Sequence, residues 1–268
     1  MGKFDHVLLA SDFDDTLYNS RREVSAENLA AIEYFIREGG HFTVSTGRAN
    51  RTFAPYAKDL PMNAPVILAN GAVLYDYAAG RAVLELPFPA RAAADLGEMS
   101  RAYPRVGVEV YHGDDIYIQN PNEYTDRHIK KVGAAWTELS LDRIPQPWCK
   151  AVLQSYRAEL ERVQHFVSSR WGELYEVIFS NDVLLECTVK GANKGGMVLR
   201  LAELLGVDRK DIYCVGDNQN DLPMLAVSAI PFAPANCADA VRETGPRIVR
   251  HCDDHAIAHV IEILDELY

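Results

Sequence analysis

Short apolar segments alternate with helical segments at both ends of the chain, and this alternation constrains the fold more than any other feature. Residues 7–10, 41–45 and 66–68 are apolar runs that end at polar or glycine positions, as strands of a buried parallel sheet do. The stretch between the first two runs has the apolar spacing of a helix, with Ser25 placed as its N-cap. The order strand, helix, strand, helix, strand predicts a parallel sheet covered by helices.

The alternation stops after about residue 86 and returns from about residue 186. In between, strand-like and helical segments follow one another without regular order, which favours an α+β unit. Residues 195–205 and 255–267 then have helical spacing, and residues 212–215 form another apolar strand. We therefore predict an α/β fold with a doubly wound, parallel-sheet, Rossmann-like core. The core is built from residues 1–86 and 186–268, and an α+β cap is inserted at residues 87–185.

The charge balance and the cysteine pattern exclude several classes of protein. There are 27 lysine and arginine residues against 38 aspartate and glutamate residues, and the net charge of −11 argues against nucleic acids and anionic membranes as partners. The five cysteines are odd in number and form no CxxC pair, which is typical of a reduced, cytoplasmic protein. No apolar run approaches the roughly 20 residues that a membrane-spanning helix needs.

Two carboxylates directly follow the first predicted strand. Asp12 and Asp14 are two positions apart in an extended segment, so their side chains project to the same side. Carboxylates this close repel each other unless a cation or a shared proton lies between them, and a hard ion such as Mg²⁺ is the natural partner. The alternative is an acidic surface loop or a group of helix-capping residues, and this segment alone does not separate the two interpretations.

Two further segments carry hydroxyls and positive charge at predicted strand ends or helix starts. Thr46, Gly47 and Arg48 follow the second predicted strand, where a strand-to-helix turn can bind an anion through hydroxyls and N–H groups. Lys190 and Lys194 flank a glycine-containing stretch, and Lys194 is the better candidate for neutralising a phosphoryl group because it abuts the helix start. An ordinary helix cap and a solvated lysine are the alternatives.

The fourth segment, residues 216–221, has the sequence Gly-Asp-Asn-Gln-Asn-Asp and follows a clean apolar strand. Asp217 and Asp221 could complete the coordination of Mg²⁺, or they could cap a helix and complement its dipole. In an open parallel sheet, ligands bind beyond the carboxyl ends of the strands, so we expect the four segments to converge.

In this order, the four segments resemble the motifs of the haloacid dehalogenase superfamily of phosphohydrolases: DxDx[TV], then Ser or Thr, then a distant Lys, then GDxxND. The size and position of the inserted cap, the pair Asn70-Gly71 and the pair Ala235-Asn236 resemble the Cof-type branch, subfamily IIB. Two positions depart from that branch. Asp15 stands where glycine is usual, and residues 253–256 stand where a glycine-valine pair is usual.

The resemblance implies a division of roles. Asp12 would be the nucleophile that forms an aspartyl-phosphate, and Asp14 would be the general acid and then the general base. Mg²⁺ would be held by Asp12, by the backbone carbonyl of Asp14 and by Asp217. The residues that would hold the phosphoryl oxygens are Thr46, Lys194 and Asn220. Those that would lie around the substrate or the metal are Gly47, Arg48, Asn70 and Asp221.

On the same resemblance, we expect a Mg²⁺-dependent phosphatase of small phosphate monoesters, with sugar phosphates as substrates and the cap selecting among them. Residues 111–115 and 122–128 of the cap are polar, loop-like candidates for that selection. A phosphomutase of the same superfamily shares every core motif and stays an alternative, as does a non-catalytic phosphosugar-binding protein. The expected partner is a small phosphorylated metabolite, and the expected state is a monomer or a weak homo-oligomer.

Overall fold

The computed structural model describes residues 2–268, and strands and helices alternate at both ends of the chain as the sequence predicts. The strands are, in chain order, β1 (Leu8–Ser11), β2 (His41–Val44), β3 (Val66–Leu68), β4 (Val73–Asp76), β5 (Arg81–Glu85), β6 (Gly107–His112), β7 (Asp115–Gln119), β8 (Thr137–Glu138), β9 (Lys150–Gln154), β10 (Tyr175–Asn181), β11 (Leu184–Val189), β12 (Ile212–Val215), β13 (Pro231–Pro234) and β14 (Arg247–Val249). The helices are α1 (Ala26–Arg37), α2 (Asn50–Ala57), α3 (Ala92–Ala102), α4 (Glu123–Val132), α5 (Arg157–Trp171), α6 (Lys194–Leu205), α7 (Leu222–Leu225), α8 (Asp239–Arg242) and α9 (Ala256–Leu267).

The chain divides into two compact units. The first, called the core, comprises Met1–Gly47, Tyr56–Leu84 and Lys194–Tyr268, and the second, called the cap, comprises Arg48–Pro55 and Glu85–Asn193. These bounds differ from those predicted, because β11 runs through residue 186 and because most of α2 belongs to the cap. A boundary inside β11 would divide a hydrogen-bonded ladder, so the division falls in the loop that follows it.

The core sheet is parallel, with strand order β14-β13-β12-β1-β2, and this confirms the predicted doubly wound α/β core. β1 lies inside the sheet, with Leu8 paired to His41 on one side and to Ile212 on the other. All four residues of β1 are buried, as the uninterrupted apolar run predicts for a strand covered on both faces. The carboxyl ends of β1, β2 and β12 therefore lie side by side, directly before the segments that the sequence singles out.

The predicted third strand joins two sheets. β3 meets the end of β2 through a parallel bridge between Ser45 and Ile67, and it pairs antiparallel with β4. The small sheet β3-β4-β5 contains the hairpin that the sequence predicts. The Asp76 carboxylate shapes the turn of that hairpin by accepting from the N–H groups of Ala78 and Ala79. The prediction of a third parallel strand thus holds only at the bridge to β2.

Capping and close packing place the core helices. The Asn28 N–H donates to the Ser25 hydroxyl at 3.3 Å, which confirms Ser25 as the N-cap of α1. The buried Asn28 side chain accepts from the Ala258 N–H and so ties α1 to α9. α6 lies close to α7, because a Cβ on Gly195 would come within 2.0 Å of the Pro223 carbonyl oxygen. Only glycine fits at that crossing.

The cap is a sheet of order β10-β11-β9-β6-β7-β8, antiparallel except between β7 and β8. One face packs on α3 and α5 in an apolar cluster that includes the buried Trp148. Side chains alternate along β9 and β11, so the other face carries Lys150 and Glu186, which form a buried ion pair of 2.7 Å. None of the helices formed by residues 2–268 has the length and apolar character needed to cross a membrane.

The two polar stretches of the cap that resemble loops in the sequence lie in regular structure. Tyr111 and His112 end β6, and the buried Tyr111 donates its hydroxyl to Glu109. Asn122 caps α4 in a capping box with Thr125, so both side chains serve the helix start. The loop prediction holds for Gly113 and Asp114, which form the turn between β6 and β7. It was wrong for most of the other residues, because strand ends and a capping box carry polar residues as loops do.

Candidate active site

Asp12 lies directly after β1, and its N–H donates to the Val215 carbonyl at 2.8 Å. The residue is buried, and 9% of its side-chain surface is exposed. The Lys194 ammonium, at the start of α6, donates to Asp12 Oδ1 and to Asp221 Oδ1, each at 2.5 Å. Lys194 is buried as well, so the three charges interact in a region of low dielectric. The first, third and fourth sequence segments therefore meet at this lysine.

The GDxxND segment holds its own acidic residues in place. Asp221 Oδ2 accepts from the Asp217 N–H at 2.9 Å, while its Oδ1 accepts from Lys194. The Thr16 hydroxyl donates to Asp217 Oδ1 at 3.0 Å, which joins the first segment to the fourth. Gly216 is required by close approach, because a Cβ there would lie 2.4 Å from the Asp221 Cβ. Asp221 thus caps this turn, and its carboxylate still lies within the acidic cluster.

The acidic cluster has the composition of a cation site. Oxygens of Asp12, Asp217 and Asp221 all lie within 4.8 Å of one another, and three buried carboxylates face one lysine. Burial, and after it the charge of Asp221, raises the pKa of Asp217 to about 7, and burial raises the pKa of Asp12 well above its ordinary value. Burial lowers the pKa of Lys194, but Asp12 and Asp221 raise it more. An excess of buried carboxylate oxygen fits a hard divalent ion such as Mg²⁺.

Asp14 lies in a tight loop after Asp12 and is partly exposed. The Asp15 N–H closes the loop by donating to the Tyr18 carbonyl at 2.9 Å. Asp15 has a φ of 60°, in the left-handed region that glycine adopts without strain and that aspartate tolerates better than most residues. This backbone conformation explains why glycine is usual at that position and why aspartate can replace it.

Thr46, Gly47, Asn70 and Asn220 form a polar cluster at the carboxyl end of β2. A Cβ on Gly47 would lie 3.3 Å from Asn70 Oδ1, and the Asn220 amide donates to that oxygen at 3.1 Å. Among the described residues, the buried Asn70 Nδ2 and Ser45 Oγ have no hydrogen-bond partner. A buried polar group left without a partner costs about 1–3 kcal/mol, and both atoms can donate a hydrogen bond to an acceptor oxygen.

The core brings most of the predicted site residues to one edge of its sheet. Arg48 and Lys190 belong to the cap, where Arg48 donates to the Thr52 carbonyl and Lys190 Nζ is 3.6 Å from Glu176 Oε2. Ser45 is the first hydroxyl residue of the second sequence segment, but only Thr46 of that pair was assigned to the phosphoryl oxygens. The predicted residues that lie in the core are Asp12, Asp14, Thr46, Gly47, Asn70, Lys194, Asp217, Asn220 and Asp221.

Comparison with known proteins gives a consistent result over nearly the whole chain. Residues 9–261 match the family described as haloacid dehalogenase-like hydrolase. Phosphatase YwpJ of Bacillus subtilis is 27% identical over 96% of this chain and 99% of its own. Pyridoxal phosphate phosphatase YbhA of Escherichia coli is 25% identical over 95% of this chain and 97% of its own.

A solved structure supports the fold independently of sequence identity. The subclass IIB sugar phosphatase BT4131 superposes with a TM-score of 0.83 at 16% identity, and the match covers 96% of this chain and 98% of that one. At this identity the likeness concerns the fold, and it confirms the predicted architecture of a doubly wound core with an inserted cap.

Proposed function

The chain belongs to the haloacid dehalogenase-like hydrolase family, in its Cof-type branch, and on that basis we propose that it hydrolyses small phosphate monoesters with Mg²⁺ through an aspartyl-phosphate. Relatives named phosphatases match it over nearly their whole length, which places it among the phosphatases. The observation that carries the finer proposal is the buried cluster of Asp12, Asp217 and Asp221 around Lys194.

Asp12 and Asp217, together with the backbone carbonyl of Asp14, would hold the Mg²⁺, with Asp221 close by. When bound, the ion would neutralise charge on the phosphoryl oxygens and keep its carboxylate ligands ionised. The support for this assignment is electrostatic. Burial raises the pKa of both Asp12 and Asp217, and a pKa of about 7 leaves Asp217 only partly charged at neutral pH without a further cation.

The residues of the core would divide the reaction into two steps. In the first step, the Asp12 carboxylate attacks the phosphorus, the bond from phosphorus to the leaving oxygen breaks, and Asp14 gives that oxygen a proton. In the second step, Asp14 takes a proton from the water that attacks the aspartyl-phosphate, and inorganic phosphate leaves. Lys194 orients Asp12 through Oδ1, while Thr46 and Asn220 would bind phosphoryl oxygens.

Sugar phosphates are the first substrates that we propose to test, with the cap selecting among them. BT4131 is named a sugar phosphatase, and YbhA is named a phosphatase of pyridoxal phosphate, so a screen should include both kinds of ester. We also propose a cytoplasmic location, which the five free cysteines support.

The decisive experiment measures inorganic phosphate release from a panel of phosphorylated metabolites and from p-nitrophenyl phosphate. We expect the wild type to lose turnover in EDTA and to regain it with Mg²⁺. Asp12→Asn should abolish turnover while the fold survives. Asp208→Asn is the matched control, because Asp208 is exposed and its side chain caps nothing.

Wild-type rates in Asp12→Asn, or full turnover in EDTA, would contradict the proposal. An isomerised sugar phosphate without free phosphate would identify a phosphomutase. Retained binding with no turnover of any ester would identify a phosphosugar-binding protein.

A further inference from the structure

The segment of residues 13–23, called the Asp14 loop, joins β1 to the N-cap of α1. The Tyr18 N–H donates to the Phe13 carbonyl at 2.7 Å, and the two rings stack with centroids 4.9 Å apart. The loop makes a first turn at residues 13–18 and a second at residues 19–23. In the second turn, Asn19 Oδ1 accepts from the backbone N–H groups of Arg21 and Glu23 at 3.0 and 3.2 Å. These contacts fix the internal shape of the loop, and its position on the core depends on other residues.

Two side chains from the last part of the sequence anchor the Asp14 loop. The Asp253 carboxylate accepts from the N–H of Ser20 at 3.0 Å and from its hydroxyl at 2.9 Å. The Asn236 amide donates to the Asp15 carbonyl at 2.7 Å, and its own oxygen accepts from the Cys252 N–H at 3.0 Å. Each turn of the loop therefore has one anchor, and Asn236 connects the two anchors through the backbone at Cys252.

Asp253 is suited to this role by its own surroundings. Its N–H donates to His251 Nδ1 at 3.1 Å, which orients the residue. The N–H and the hydroxyl of Ser20 hold the pKa of Asp253 below its ordinary value, so the carboxylate is a charged acceptor at neutral pH.

We propose that Asp253 and Asn236 are positioning residues that hold Asp14 where it can exchange a proton with the leaving group. The inference rests on the proposed function, in which Asp14 is the general acid. Asp14 adjoins Asp15, whose carbonyl Asn236 holds, and proton transfer needs a separation of about 2.6–3.2 Å between heavy atoms. A displacement of about 1 Å can lower a rate about 100-fold.

The test compares two leaving groups in Asp253→Ala. The alcohol of an alkyl phosphate needs a proton to depart, whereas p-nitrophenyl phosphate releases a stable phenolate without one. The ratio kcat/KM reports on the first step alone, because the leaving group departs before the aspartyl-phosphate is hydrolysed. We expect kcat/KM for glycerol 2-phosphate to fall about 10-fold and kcat/KM for p-nitrophenyl phosphate to change less than about 2-fold. If the wild type does not accept glycerol 2-phosphate, the best alkyl phosphate of the metabolite panel replaces it.

Two further variants separate positioning from folding. Asp253→Asn keeps an acceptor for the Ser20 N–H and should recover most of the lost rate. Ser20→Ala removes only the hydroxyl bond and should give a smaller loss in the same direction. The matched control is Asp265→Ala, because Asp265 also accepts from two groups, Tyr34 and Lys3, which lie outside the Asp14 loop.

Hydrogen exchange measures the anchor without reference to activity. The Ser20 amide should exchange faster in Asp253→Ala than in the wild type and in Asp265→Ala, because its acceptor is gone. Equal loss of kcat/KM with both substrates, or unchanged exchange at Ser20, would overturn the positioning role. A wild type that releases no phosphate from any ester would overturn the proposed function instead, and the exchange result would then report on the anchor alone.

Discussion

Replacing Asp217 with asparagine should make the metal-free protein more stable at alkaline pH. Burial and the nearby Asp221 raise the pKa of Asp217 from 3.8 to about 7. Between these two pH values, the folded chain keeps a proton that the unfolded chain has released. The free energy of unfolding therefore falls as the pH rises through this range, and the loss is complete above pH 7. The difference in pKa corresponds to about 4 kcal/mol.

Asparagine has the shape of aspartate and still offers an oxygen to the Thr16 hydroxyl, so Asp217→Asn removes the charge with little change in packing. Urea unfolding in EDTA at pH 5 and pH 8 measures the effect. We expect the stability of Asp217→Asn relative to the wild type to rise by about 2–3 kcal/mol between the two pH values. Asp208→Asn, the matched surface change, should follow the wild type at both.

Added Mg²⁺ gives the second half of this experiment. A ligand that binds only the folded state stabilises it, so Mg²⁺ should raise the stability of the wild type at pH 8 and should affect Asp217→Asn much less. If the wild type and Asp217→Asn show the same dependence on pH in EDTA, Asp217 does not carry the buried charge, and the electrostatic reasoning is refuted.

Three more substitutions test separate contacts by urea unfolding. Lys194→Met leaves two buried carboxylates without their cation, so it should lower the free energy of unfolding by about 3–5 kcal/mol at pH 8 and by less at pH 5. It should also abolish phosphate release. An unchanged free energy of unfolding at pH 8 would argue against the buried ion pairs. Gly195→Ala should cost about 1–3 kcal/mol, because its Cβ meets the Pro223 backbone, whereas Gly97→Ala, with its nearest contact at 3.5 Å, should not destabilise the chain. Asp15→Ala should cost about 1 kcal/mol at its φ of 60°, and Asp15→Gly should not; equal effects would contradict the backbone argument.

The arrangement of the core could be predicted from sequence because it depends on few physical rules. Continuous apolar runs such as β1 indicate strands buried on both faces, and parallel strands end at a shared edge. Those two rules place Asp12 and Asp217 at the same edge of the sheet, and the pairing of β1 with β12 brings them close together. The choice between Lys190 and Lys194 also depended only on which lysine abuts a helix start.

Other features of the site could not be predicted, because they depend on distances between segments far apart in sequence. Asp221 caps its own turn and also binds Lys194, whereas the sequence offered capping and metal binding as alternatives. The unpartnered amide of Asn70 follows from a left-handed backbone at that residue and from the approach of Asn220. Ser20 and Asp253 form their pair across 233 positions, and no local pattern indicates it.

In the cap, too, some features follow from the local sequence pattern and others do not. The alternation of side chains along β9 shows which residues share a face, but it does not tell whether a polar face is buried or solvated. The buried ion pair of Lys150 and Glu186 therefore had no signal in the sequence.

The order in which the core strands pair has a consequence for synthesis on the ribosome. Leu8 in β1 pairs with Ile212 in β12, so β1 leaves the ribosome and then waits for a partner strand that is made much later. At about 5–20 residues per second, that wait lasts roughly 10–40 s. The strands of the cap sheet all lie between Gly107 and Val189 and can pair during the same interval. During that interval, the edge of β1 that later pairs with β12 is unpaired and is prone to pair with another chain.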